Sequence, residues 1–317
     1  MSIQEAKAAF EQHIHQNVYE SVCLQFHGVE GYDVYNCSIP FLWNGKTYIY
    51  GRVEKREIWA GSWVRLFEKT GPDTYTLVPG SRAYQLEDPY ISFFRGELVM
   101  GGTHVRKRCG AIDTYYGYFY RGRDLDDLEY FTTGPHEMKD IRLVELADGS
   151  LGVFSRPRSP EIEAKYGSAS IVGFARIPSL EQLTSEVITS ARPIDGLFGP
   201  GEWGGCNQVY LLENGRLGVA AHQSFSQPQP GGEPLAVYLN TAFEFDPDSF
   251  TVSNKKVIGT RACYPAGPAK RPQLVDCTFT SGLVMRQDGR VDLYGGIGDA
   301  QEGRITIDYP FSAPIRK

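Results

Sequence analysis

Apolar and polar positions change their rhythm at about residue 30. Ahead of it, Ala6, Ala9, Phe10, His13 and Ile14 recur at helical spacing, which predicts one short helix near the N-terminus. Beyond it, short alternating runs are broken by Gly, Pro, Asn and Asp, the pattern of strands joined by tight turns. One unit recurs five times: a β-rich run, a polar residue followed by Gly, and a second β-rich run. The copies are FLWNGKTYIYGRVE, ISFFRGELVMGGTHV, LVELADGSLGVFSRP, VYLLENGRLGVAAHQ and LVMRQDGRVDLYGGIGD. Their glycines, Gly45, Gly96, Gly149, Gly215 and Gly289, are spaced 51, 53, 66 and 74 residues apart. Asn-Gly and Asp-Gly supply the positive φ angles of two-residue hairpin turns.

A strand-built unit repeated at this period marks a propeller, here five four-stranded blades of about 60 residues each. A β-sandwich would carry similar turns. It would not explain a second regularity, a polar side chain seven to nine residues before each glycine: Asn36, Asp88, Asp140, Asn207, and Thr280 with Ser281. In a propeller these five strand starts would converge on one funnel, as a small-molecule site requires. The expected fold is all-β, a five-bladed β-propeller with a short N-terminal helix. It forms a single domain over 1–317, with 1–20 as helix and lead-in. The segments 158–167, 227–234 and 261–272 are expected as rim loops.

Composition narrows the class. Gly 35, Pro 19, Tyr 19 and Phe 17 suit strands and turns. With 32 Lys+Arg against 38 Asp+Glu the net charge is −6, which argues against a nucleic-acid partner. The first seventeen residues lack the apolar core of a signal peptide, and no run reaches the roughly 18 apolar residues of a membrane span. The six cysteines form no C-x-x-C pair and no Cys/His cluster of metal-ligand spacing. A soluble cytoplasmic protein with reduced thiols, no metal and no cofactor is expected, and a homo-oligomer is left open.

The second strands of the repeat also end in polar groups: Arg52 and Glu54, His104, Arg156 and Arg158, His222, and Asp299. Carboxylates alone would suit a glycosidase. Carboxylates beside arginine, lysine and histidine instead suit a sugar site that also takes an anion, because guanidinium groups grip phosphate bidentately. The run Tyr115–Tyr120 reads as blade packing rather than a sugar platform. Gly296-Ile297-Gly298 is followed by strand-like sequence, so it does not make a dinucleotide fingerprint.

Over residues 32–309 the chain resembles the β-1,2-mannoside phosphorylases of glycoside hydrolase family 130. It is similar, more closely still, to the mannosyltransferase/phosphorylase group of glycosyltransferase family 108. Glu87-Asp88-Pro89-Tyr90-Ile91 resembles the Glu-Asp-Pro-Arg-Ile signature of the family. Val34-Tyr35-Asn36 with Tyr50-Gly51-Arg52-Val53-Glu54 looks like its first-blade motif. Lys139-Asp140 with Ser155-Arg156-Pro157 is similar to its Lys-Asp and His-Arg-Pro pair. His222 stands where the family has Tyr-His-Gly, and Gly295 to Asp299 looks like its last motif. Tyr90, Ser155 and Gln223 depart from the pattern.

The resemblance implies Asp88 as general acid, Lys139, Arg156 and His222 as phosphate ligands, and Asp140 and Asp299 as contacts to mannose hydroxyls. Asn36, Arg52, Asn207 and Tyr90 join them as expected substrate-binding residues. It implies inverting transfer on β-1,2-linked mannosides. The partners would be a mannose-containing oligosaccharide with phosphate, mannose 1-phosphate or GDP-mannose. A β-mannoside hydrolase on the same fold and a non-catalytic glycan-binding propeller are the alternatives.

Overall fold

All five repeat glycines stand at left-handed φ, between +77° and +84°, and each closes a hairpin. The turns are of two kinds. Asn44-Gly45 and Arg95-Gly96 are two-residue turns with both residues at positive φ. The other three hairpins are one residue longer, a departure from the expected two-residue form. In these Leu146, Leu212 and Arg286 bond through N–H to the carbonyls of Ser150, Arg216 and Arg290, at 2.8–2.9 Å. The residue before the glycine explains the difference. Asp148, Asn214 and Asp288 each accept the N–H two residues ahead, at 2.9–3.1 Å, and so cap the longer turn.

The computed structural model describes residues 2–316 except 127. Strand makes up 51% of the chain and helix 11%, in a five-bladed β-propeller arrangement. The chain divides into two compact units. The first is built from the chain up to Pro89 with Ser224–Thr241 and Val257–Pro310. The second is built from Tyr90–Gln223, Ala242–Lys256 and the chain from Phe311 onward.

In the first unit, one sheet runs in the order Gln25–His27, Thr74–Leu77, Trp63–Gly71, Lys46–Glu54, Asp33–Tyr35, with Phe41–Trp43 added against Lys46–Glu54. Another comprises Thr278–Met285, Val291–Ile297 and Gln301–Ile307, and is completed by Val18–Cys23 from the far end of the chain. That closing strand pairs antiparallel with Gln301–Ile307, Ser21 opposite Ile305. Part of what reads as lead-in is therefore structural. The predicted helix spans Ile3–Glu11, with a Ser2/Glu5 capping box, and ends before Ile14, where a second short helix Ile14–Asn17 begins. Its Ile3 and Ala6 pack on Phe225, Leu235, Val237 and Leu239.

In the second unit, strands Glu97–Arg108, Ala111–Gly122 and Glu129–His136 follow Glu87–Phe94 in one sheet. Arg142–Glu145, Leu151–Ser155, Gly173–Ile177 and Arg192–Pro193 make the next. Phe154, Phe174 and Phe245 meet there edge to face, with centroids 5.1–5.8 Å apart. The remaining sheet, Glu202–Leu211 to Thr251–Gly259, has residues in both units. The expected loop at 158–167 holds a helix, Pro160–Tyr166. Ser159 caps its start and Gly167 ends it in the left-handed conformation. Tyr116, Tyr118, Tyr120 and Tyr130 form a ladder of ring contacts with His104 and His136 along their sheet. Among the described residues no helix is long and apolar enough to cross a membrane.

Candidate active site

Asn36, Asp88, Asp140 and Asp299 share one backbone property: φ of +46°, +49°, +57° and +53°. Left-handed backbone costs a residue with a side chain on the order of 1 kcal/mol or more, and Asn and Asp tolerate it best. Strain repeated at the polar positions picked out in the repeat is a mark of function. The expected residues fall into two clusters, one in each unit.

In the first unit, Asp88 is 5% exposed and its Oδ1 accepts from Arg52 Nη1 and Asn36 Nδ2, both at 2.9 Å. Asn36 Nδ2 also lies 3.3 Å from Asp299 Oδ1. Asn36 Oδ1 is buried and unpartnered, against Gly296, where any Cβ would overlap it. Arg52 is spread over Glu87 Oε1 at 3.0 Å, Glu54 Oε2 at 3.3 Å and Ser62 Oγ at 2.7 Å. Its guanidinium sits 4.7 Å from the Tyr35 ring centroid. Burial would weaken its charge, but Glu87, Asp88 and Asp299 hold it firmly protonated. Glu54 takes further donors from Lys270 Nζ, Tyr35 Oη at 2.5 Å and Gly61 N–H at 2.5 Å. Burial would raise the Glu54 carboxyl, yet Arg52 and Lys270 bring it below the usual carboxylate range.

In the second unit, Asp140 Oδ2 accepts from Arg156 Nη1 at 2.8 Å, and Arg142 Nη2 lies 3.6 Å from Oδ1. Oδ1 itself has no hydrogen-bond partner. Burial would raise this carboxyl, but Arg156, then Lys139 and Arg142, hold it far below its ordinary range. Arg156 Nε donates to the Gly204 carbonyl at 2.6 Å, and Arg142 Nε to the Asn207 carbonyl at 2.7 Å. His222 is buried, and burial together with Arg156 pushes its pKa well below 6.5, so the ring is neutral. Its Nδ1 lies 2.8 Å from Asn207 Oδ1, while Asn207 Nδ2 is unpartnered. With Oδ1 accepting, the proton is on Nδ1. Turning the amide would present Nδ2–H to Nδ1 and move the ring proton to Nε2, ready to donate to an anion.

Tyr90, expected at the substrate, is 3% exposed and packs beneath Arg142, whose guanidinium is 4.5 Å from its centroid. Thr280 and Ser281 bond Asn240 and Glu302, at 2.9 and 2.7 Å. Arg142, Ser62 and Lys270 were not expected at the site. Arg142 had a signal, standing two residues after Asp140 at a strand start. Lys270 had none, since 216 residues separate it from Glu54.

The class this fold and these clusters define has known members. The chain belongs to the family described as "Protein of unknown function (DUF1861)", whose model matches residues 9–313. A mannose phosphorylase from Leishmania mexicana, MPT-4, solved with a phosphate ion, is 52% identical, with 99% of this chain and 96% of that one covered and a TM-score of 0.93. MPT-1, a GDP-Man-dependent mannosyltransferase from the same organism, is 46% identical over 100% and 99% of the two chains, TM-score 0.92. A β-1,2-mannobiose phosphorylase from Listeria innocua shares the fold at 14% identity, over 88% and 91%, TM-score 0.63. No curated protein matches the chain.

Proposed function

We propose that this chain transfers mannosyl groups with inversion, cleaving and making β-1,2-linked mannosides with phosphate or mannose 1-phosphate and accepting GDP-mannose as a further donor. It is a glycosyl-transferring enzyme of the mannoside phosphorylase and mannosyltransferase group. The observation that carries the reading is the charge around Asp140. The buried Arg142 and Arg156 outnumber the one carboxylate between them. Uncompensated buried charge is costly, so such a cluster calls for an anion, which phosphorolysis supplies and hydrolysis does not.

In this reading Asp88 is the general acid. Both its donors converge on Oδ1, which makes Oδ2 the oxygen to carry the transferable proton. Asn36 and Asp299 hold sugar hydroxyls near it, and Asp140 is a further contact to a mannose hydroxyl. Lys139, Arg156 and His222 bind the phosphate, His222 as a neutral donor once Asn207 turns. The anion attacks the anomeric carbon from the face opposite the leaving oxygen, which inverts it. In GDP-mannose the β-phosphate takes the place of the free anion. The enzyme works in the cytoplasm, in keeping with six cysteines that form no disulfide.

The test incubates the protein with mannobiose plus phosphate, and separately with mannose 1-phosphate or GDP-mannose plus mannose, followed by chromatography. Product is expected in both directions, and Asp88→Asn should lose both while keeping the wild-type circular dichroism. A tenth of wild-type activity surviving in that variant would remove Asp88 as the acid.

A further inference from the structure

The segment from Lys55 to Ser62 carries Ile58 and Trp59 at 43% and 40% exposure, and Trp63 follows at 47%. Three large apolar side chains exposed within six residues are unusual on a surface. The segment is not loose. Ser62 Oγ accepts from Arg52 Nε, the same guanidinium that bonds Asp88. Gly61 N–H donates to Glu54 Oε1, and the Lys55 carbonyl accepts from Lys270 Nζ at 3.3 Å. Ala60, buried beside Trp59, is held at φ +55°, a strained conformation for alanine. The Trp59 ring is backed by cations: the Arg271 guanidinium lies 4.5 Å from its centroid and Lys270 Nζ 5.9 Å. The loop is thus tied at three points to the ion pairs of the acid and spends backbone strain holding an indole partly in solvent.

We infer that Trp59 is a sugar-stacking platform, a binding site for the leaving or acceptor end of an oligosaccharide beyond the sugar that reacts. The assignment rests on Asp88 being the acid. A general acid serves the oxygen that joins the reacting sugar to its leaving group, so a platform built onto its ion pairs belongs to the leaving side. Neutral sugar rings present a face of C–H groups that packs on an aromatic ring, while their hydroxyls bond polar groups at its edge. Arg271, against the ring, supplies such donors. Burial of one sugar face on an indole corresponds to about a tenfold change in affinity.

The test measures KM for manno-oligosaccharides of two to four units and KM for phosphate in wild type, Trp59→Ala and Trp59→Phe, with thermal unfolding to establish that each variant folds. Trp59→Ala should raise the oligosaccharide KM about tenfold and leave the phosphate KM within twofold, and Trp59→Phe should recover most of the loss. An unchanged oligosaccharide KM, or equal rises in both constants, would overturn the platform. Tryptophan fluorescence titrated with mannotetraose provides a readout independent of turnover. A saturable change present in wild type and absent in Trp59→Ala supports the site even if no mannoside is turned over, in which case the functional reading fails and the platform stands. A change of equal size in both proteins overturns the platform.

Discussion

Asp140 cannot be separated from the arginines around it. Its carboxylate stays ionised in a buried setting because Arg156 bonds it and Arg142 stands close. Arg156→Ala should therefore act twice. The KM for phosphate should rise at least about tenfold, as an anion ligand is lost. Stability should also fall by about 3–5 kcal/mol, because one partner of a buried pair is left without the other. Steady-state kinetics and urea unfolding measure the two effects separately, and an unchanged phosphate KM would remove Arg156 from the anion site. At this scale the sequence was informative. Asn36, Arg52, Asp88 and Asp299 were picked out by their register in the repeat, and all four meet in one cluster. The register could not show that Asn36 bonds Asp88 and Asp299, at sequence separations of 52 and 263. Nor could it show that the Tyr90 side chain lies in the core, beneath Arg142. The side-chain direction at a left-handed residue, or beside one, depends on backbone angles that spacing does not encode.

Strand Gln301–Ile307 carries a buried acid that the proposed chemistry does not use. Glu302 is pushed up to about 7 by burial, against the donors Ser281 Oγ at 2.7 Å and Cys37 N–H at 3.1 Å. Its folded pKa exceeds the value near 4.5 of the unfolded chain, so the native state binds the extra proton between those two values. Stability from this group is present at low pH and is lost as pH rises through about 7, by about 3 kcal/mol in all. Glu302→Gln keeps the shape without the charge. Urea unfolding at pH 4.5 and pH 8 should show the variant gaining about that much on wild type across the interval. A pH-independent difference would show that folding does not raise the Glu302 pKa.

For the molecule as a whole, the telling element is the one from the start of the chain. Val18–Cys23 covers the edge of Gln301–Ile307, where Ile305 and Ile307 are buried. Deleting residues 2–23 should expose that edge, and open strand edges pair with other chains. The expected product elutes as aggregate in size-exclusion chromatography. A monodisperse truncated chain with native circular dichroism would show that the closing strand is dispensable. The repeat hid this strand, since counting five similar hairpins assigns each blade its strands from neighbouring sequence and leaves no reason to borrow one from the N-terminus.

What the sequence determined by itself was the all-β class, the five hairpins and the polar positions ahead of them. These rest on alternation and on turn residues, properties written within about ten neighbouring residues. Tertiary structure decided the rest. It settled which cation faces which carboxylate and which strand closes the last sheet. It also turned the insertion at 261–272 into a strap whose Lys270 neutralises Glu54, and it left Trp59 in solvent. Each of these joins residues far apart in the chain, and an ion pair or a strand edge exists only once packing has brought its two halves together.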